Sequence, residues 1–334
     1  MRRIRVPLTV SAGGIGGSKV ECATRIFFVW KMSRKHLSSI WRATDQNAAR
    51  GIFLMCLTSV LSFPLLNTTV KYLVTDFSVW QIVWARALFH LGFMLLLFAP
   101  RMGIVGLFRT AHPVLQGLRS LLQFLAMLFY FSALEEIALP TATAIAFTAP
   151  LMVVAFSVPI LGEKVGPRRW GAVIFGFLGA LIIIRPGADV TDWATLYVLG
   201  SALCYAIYQI LTRRVAARDD ARTTAVYTVV AALIGASIVA PFDLVAPTLT
   251  TQWLAFAGLG LTGALGHLFL IKAYASAEAS IISPFDYGQL IGATILGYLI
   301  WNDFPDLWTW IGAIILVLSG VYIARREAVR RPRA

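Results

Sequence analysis

Ten long apolar runs separated by short polar turns fill the chain from Gly51 to Ala324. They are Gly51–Leu73, Val79–Ala99, Val114–Leu134, Leu139–Leu161, Trp170–Ile184, Trp193–Leu211, Thr223–Pro241, Trp253–Ile271, Ala279–Trp301 and Leu307–Ala324. Most have the roughly 20 residues that an α-helix needs to cross the hydrocarbon core of a bilayer. The fifth is short, but Arg169 and Arg185 flank it and their long side chains reach the headgroups from either end. The runs do not alternate apolar with polar residues, as the strands of a membrane barrel would. Helices satisfy their own backbone in lipid. The predicted fold class is therefore an all-α integral membrane protein with ten transmembrane helices.

Composition agrees with the pattern. The 334 residues are 58% hydrophobic and 13% charged, with mean hydropathy +0.76. A soluble domain is nearer 45–50% apolar and about 25% charged. The net charge of +13 would point to nucleic acid in a soluble protein. Here the basic residues fall between apolar runs and at both ends, so no nucleic-acid partner is expected. With the N-terminus inside, the inside loops carry Arg101 and Arg109, then Lys164, Arg168 and Arg169, then Arg213, Arg214, Arg218 and Arg222, and then Lys272. The tail adds Arg325, Arg326, Arg330, Arg331 and Arg333. The outside loops hold Lys71 and Arg185 among many acids. This partition predicts a multi-pass protein of the cytoplasmic (inner) membrane with both termini cytoplasmic.

Residues 1–50 are basic and lack a long apolar run. Two readings stand: a basic cytoplasmic arm, or translation beginning at Met32 so that 1–31 is not made. Gly13 to Lys19 looks faintly like a phosphate loop but fails its spacing, because Ser18 separates Gly17 from Lys19. Cys22, Cys56 and Cys204 are far apart in sequence and form no metal or disulfide pattern. His36, His90, His112 and His267 are too scattered for a metal site. No cofactor and no metal are expected.

An internal repeat organises the rest. Phe131-Ser132-Ala133-Leu134 aligns with Ile271-Lys272-Ala273-Tyr274, Gly162-Glu163 with Asn302-Asp303, and Trp170-Gly171-Ala172 with Ile311-Gly312-Ala313, at an offset of about 140 residues. Five spans per unit is an odd number, so the two units cross in opposite senses. Inverted repeats of this kind mark secondary transporters. The predicted organisation is a basic arm (1–50), a first five-helix repeat (51–186), a second (187–324) and a basic tail (325–334).

The run Ala133-Leu134…Pro140-Thr141-Ala142-Thr143-Ala144…Pro150-Leu151…Leu161-Gly162-Glu163-Lys164…Trp170-Gly171-Ala172 resembles the EamA-type half of the drug/metabolite transporter superfamily. The later run Lys272-Ala273-Tyr274…Ile300-Trp301-Asn302-Asp303-Phe304-Pro305-Asp306 resembles its second half. The resemblance implies a ten-helix carrier without ATPase, its cavity lined by spans one to four and six to nine, with the fifth and tenth peripheral. Phe269–Ala273 and Asn302–Asp306 look most like the branch of S-adenosylmethionine and riboflavin importers. Export of amino acids or drugs is the alternative.

Charges within spans are expensive and default to function. Arg86, with His90 one turn on, and Arg119, with Gln123 one turn on, are read as facing a wet cavity and holding an anionic group such as a carboxylate. The competing reading pairs them with acids or lets them snorkel. Span nine opens Ser283-Pro284-Phe285-Asp286-Tyr287-Gly288-Gln289. Its Asp286 is a candidate for proton coupling, cation binding or pairing with an arginine, and Tyr287 and Gln289 are lesser candidates. His267 is read as an interhelical bonder or, as a candidate substrate contact, a titrating group, and Asn67 and Gln209 share the split between bonding and function. Glu163 and Asp303 are read as turn or gate groups. The expected partners are a small-molecule substrate and the lipid bilayer, and a homodimer is compatible with the sequence. A membrane-embedded enzyme would need a clustered acid, base or metal set, and none is legible. A channel is disfavoured, because inverted repeats provide two alternating access states.

Overall fold

The computed structural model describes residues 49–161, 166–184, 193–216, 219–276 and 283–330. The basic arm, the glycine-rich 13–19 segment, the Glu163–Lys164 turn, Arg185 and the end of the tail lie outside the described residues, as do the side chains of the tail arginines.

The described residues are helical and contain no strand. The helices are α1 (Ala49–Leu73), α2 (Val79–Met102), α3 (Ile104–Phe108), α4 (Pro113–Ala133), α5 (Leu139–Ala146), α6 (Thr148–Leu161), α7 (Pro167–Ile184), α8 (Trp193–Ala216), α9 (Ala221–Tyr227), α10 (Val230–Val239), α11 (Thr250–Ser276), α12 (Gly288–Trp301) and α13 (Leu307–Arg330). Among the described residues, seven helical segments are long and apolar enough to cross a membrane, and Trp170–Ile184 and Leu307–Tyr322 are shorter apolar helices.

Burial is reversed relative to a soluble protein. Leu96, Val114, Ile238, Leu254 and Leu299 are each at least two-thirds exposed, while Arg86, Arg119 and His90 are almost fully enclosed. Apolar groups face outward because lipid, not water, is the solvent there. Trp193, Trp253 and Trp308 stand exposed at helix starts, where amphipathic rings sit at the headgroup level.

Several apolar runs are broken where a continuous helix was predicted, and each break has a local cause. α1 contains a π-helical turn at Leu57–Ser62. There the hydroxyls of Thr58, Ser59 and Ser62 donate to the carbonyls of Leu54, Met55 and Leu57 and loosen the regular ladder. The fourth run breaks at Phe147, between α5 and α6. Pro150 lacks an N–H and its ring crowds the carbonyl of Ala146, four residues back. The ninth run enters through a 3-10 turn, Ser283–Tyr287, before α12 begins. The seventh divides into α9 and α10 because Arg119 and the Thr228 hydroxyl both take the Thr224 carbonyl. The freed Ala231 N–H donates to Ser120 Oγ at 2.9 Å.

The most extensive packing is α4 on α8 and α7 on α13, followed by α2 on α11. Glycine sets the last spacing: a Cβ at Gly260 of α11 would fall 2.3 Å from Phe89 Cβ of α2. A Cβ at Gly292 of α12 would likewise strike Pro64 of α1 at 2.5 Å.

Candidate functional site

A cavity of about 120 Å³ lies among the long helices. Its wall is drawn from α1, α2, α4, α5, α6, α8, α11, the Ser283–Tyr287 turn and α12. The α7–α13 pair contributes no wall residue. The seventh span does not line the cavity either, because α9 and α10 pack behind α4 and α2. This departs from the expectation that spans six to nine all line it.

α2 positions Arg86. Ser78 caps the helix, its Oγ accepting from Gln81 N at 3.3 Å, and Arg86 follows two turns in. The residue is 1% exposed and faces the cavity. Nη2 lies 3.2 Å from His267 Nε2, Nη1 donates to Met127 Sδ, and Nε has no partner. A guanidinium can only donate, so His267 Nε2 accepts. The proton of neutral His267 is therefore on Nδ1, which lies 3.3 Å from Tyr208 Oη and donates to it. His90 sits beside this chain with neither ring nitrogen bonded, its ring 6.2 Å from that of His267.

Asp286 is held on the 3-10 turn and lines the same cavity. Gln289 Nε2, one turn on in α12, donates to Asp286 Oδ1 at 2.6 Å. No ion pair joins Asp286 to Arg86. The ion pair seen among the described residues joins Arg222 to Asp220 at 2.7 Å, away from the cavity.

The remaining expected site residues lie elsewhere. Tyr287 is turned from the cavity, its ring packed edge-on to Phe147 at 5.0 Å and against Gly320 of α13. Arg119 is buried near the start of α4 and absent from the cavity wall. It neither pairs with an acid nor snorkels. Nε donates to Gln116 Oε1 at 3.2 Å, Nη1 to Thr212 Oγ1 at 3.4 Å, and Nη2 to Thr228 Oγ1 at 3.1 Å and to the Thr224 carbonyl. Its guanidinium carbon sits 5.0 Å from the centre of the Tyr208 ring. Next to this knot, Asp219 accepts from Thr110, Ala111 N and Gln116. Partial burial pushes the Asp219 carboxyl up, but these hydrogen bonds outweigh it and hold the group below its ordinary value.

Of the six expected site residues, the structure thus brings Arg86, His267, Asp286 and Gln289 together around one cavity, with Asn67 and Gln123 beside them. Sequence reasoning missed Tyr130, Tyr205 and Tyr208. The last two stack at 5.5 Å on α8, and Tyr205 and Tyr130 line the cavity. Three-residue spacing of tyrosines within an apolar run was the available signal. Among the described residues, no group of three or more His, Cys, Asp or Glu is placed to hold a metal.

Comparison with known proteins gives one consistent family. The model of the EamA-like transporter family matches twice, over residues 49–185 and 192–325. The riboflavin transporter of Vibrio cholerae is 30% identical over 291 residues, covering 84% of this chain and 95% of that one. The S-adenosylmethionine uptake transporter of Rickettsia bellii is 30% identical over 278 residues, covering 83% and 93%. The pseudopaline exporter CntI of Pseudomonas aeruginosa is 27% identical over 279 residues, covering 83% and 96%. A solved crystal structure with 19% identity covers 86% of this chain and 98% of its own at a TM-score of 0.59, and shares the fold. With both halves matched and the long helices apolar, the chain is a multi-pass membrane protein that belongs to the EamA-like transporter family.

Proposed function

We propose that this transporter is a secondary carrier that takes up a small metabolite across the cytoplasmic membrane by alternating access, with riboflavin and S-adenosylmethionine as the lead substrates. The observation that carries the reading is the cavity itself, walled by helices from both matched halves, with Arg86 and Asp286 among its lining residues. The importers of Vibrio cholerae and Rickettsia bellii supply the substrates and the inward direction.

The proposed architecture is ten spans in two inverted five-helix repeats, 51–186 and 187–324. Three features support it. The family model matches each half separately. The helix break at Phe147 has its counterpart at the Tyr287 turn, about 140 residues later, and the two rings touch. The packing recurs under a five-span shift: α4 on α8 corresponds to α11 on α1, and α2 on α11 to α10 on α4. The cavity then lies between the repeats, where inverted-repeat carriers hold substrate. The basic loops support cytoplasmic termini.

The test is uptake of labelled S-adenosylmethionine, with riboflavin in parallel, by cells expressing the protein or its Arg86→Gln form at equal membrane abundance. Saturable uptake of either compound, lost in the variant, is the expected result. Efflux of preloaded substrate without uptake would place the chain with the exporters, of which the Pseudomonas relative is one.

A further inference from the structure

The cavity holds two buried charges of opposite sign that do not pair with each other. Arg86 spends its donors on a neutral thioether and a neutral imidazole, and its Nε on nothing. Asp286, 5% exposed, has one oxygen bonded by Gln289. Tyr205 and Tyr274 stand within electrostatic range of its carboxylate. Charges held in so apolar a surround demand partners, and among the described residues neither has a countercharge within ion-pair distance. A ligand is then the remaining source of both countercharges. The cavity that the two charged groups share is walled in part by flat rings: Phe63, Tyr130, Phe131 and Phe147. Gln123 Oε1 is buried on the same wall with no hydrogen-bond partner.

We infer that the cavity is built for an amino-acid-bearing heteroaromatic metabolite, its carboxylate on Arg86, its ammonium or sulfonium on Asp286 and its flat ring on the aromatic wall. The inference rests on the carrier reading above and sharpens it to one substrate class. Arg offers a carboxylate a fork of parallel donors, and the free Nε completes that fork. A carboxylate in a cavity with aromatic walls suits an onium group, which binds to acid and ring quadrupole together. The unpaired Gln123 Oε1 accepts from an exocyclic amine. An uncharged flavin would satisfy the rings and leave both charges without a partner.

The experiment is equilibrium binding to the full-length protein in lipid nanodiscs. The ligands are S-adenosylmethionine, S-adenosylhomocysteine, 5′-methylthioadenosine and riboflavin. The first carries carboxylate, ammonium and sulfonium, the second loses the sulfonium charge, the third keeps the adenosine and a thioether without the amino-acid group, and the fourth has a flat, uncharged ring. The expected order places S-adenosylmethionine at least about tenfold tighter than 5′-methylthioadenosine and riboflavin, since one good charged contact is worth that much. Arg86→Gln should erase the advantage of the carboxylate-bearing ligands, and Arg86→Lys should restore part of it. Asp286→Asn should erase the preference for sulfonium over thioether. Riboflavin or 5′-methylthioadenosine binding as tightly as S-adenosylmethionine overturns the inference, and the wild-type comparison decides this even when a variant misfolds. Saturable riboflavin uptake in cells without S-adenosylmethionine binding would leave the carrier reading standing and remove the zwitterion. Failure of all four ligands to bind or enter would remove both.

Discussion

Arg86 and Arg119 are the same residue, almost equally buried, on neighbouring helices, and they sit in opposite circumstances. Arg119 donates to four oxygens, those of Gln116, Thr212, Thr224 and Thr228, and lies over the Tyr208 ring. Arg86 donates to one sulfur and one imidazole nitrogen, keeps its Nε unused, and lines the cavity. A cation surrounded by oxygen is part of the scaffold, because its desolvation is offset by its own neighbours. A cation left short of acceptors beside a cavity is poised for an anion that arrives from outside. Burial alone does not separate these two roles; the neighbouring acceptors do.

The largest expected effect falls on the cavity side. Arg86→Gln should lower substrate affinity by about 30-fold or more, the equivalent of roughly 2 kcal/mol for a lost buried charge contact, with little change in thermal stability. Binding in nanodiscs beside a melting curve checks both halves of that statement. Unchanged affinity would move Arg86 to the scaffold with Arg119.

Arg119→Met should do the reverse. It leaves the acceptors of α4, α8 and α9 unpaired and should destabilise the protein by about 3 kcal/mol, while the folded fraction keeps its affinity. Thermal unfolding in detergent, read together with binding per folded molecule, separates the two. A raised dissociation constant at unchanged stability would place Arg119 in the site.

A smaller effect is expected where the two regions meet. Tyr208 offers its hydroxyl to His267 and its ring face to Arg119. Tyr208→Phe keeps the ring and removes the bond that orients His267. Affinity should fall by about fivefold, near 1 kcal/mol for a hydrogen bond, with stability preserved. Loss of stability instead would mean that the scaffold, not the site, depends on the hydroxyl.

The smallest effect concerns pH at the Arg119 knot. The Asp219 carboxyl lies below its ordinary value of 3.8, so the charged form is the one the fold favours. Its contribution is fully present above the unfolded value and is lost as pH falls through the lower folded value. Acid titration of the melting temperature should therefore show a sharper fall for the native protein than for Asp219→Asn. Identical acid limbs would remove Asp219 from the clasp.

Much of the architecture was legible because lipid imposes a length and a composition on every helix that crosses it. The positions of α2, α4, α8 and α11 followed from apolar runs alone. The breaks did not. Pro150 pointed to the one at Phe147, but the division of α9 from α10 depends on Arg119 reaching Thr224 from more than a hundred residues away. Arg86, His267, Asp286 and Gln289 were visible as polar residues in apolar runs. Tyr205 and Tyr208 were not, because tyrosine is at home in a membrane helix for several reasons. Tyr287 was drawn into the expected site by its neighbour Asp286, yet adjacent residues on a 3-10 turn point in different directions.

The sequence by itself determined that this chain crosses a membrane in apolar helices, which family's pattern it carries, and which side chains are too polar to be there without a reason. Those are properties of each segment and its solvent. Which arginine faces a cavity and which is wrapped in hydroxyls was decided by the tertiary structure. That outcome depends on what other helices bring to within about 3 Å of a guanidinium, and no local pattern along the chain encodes it.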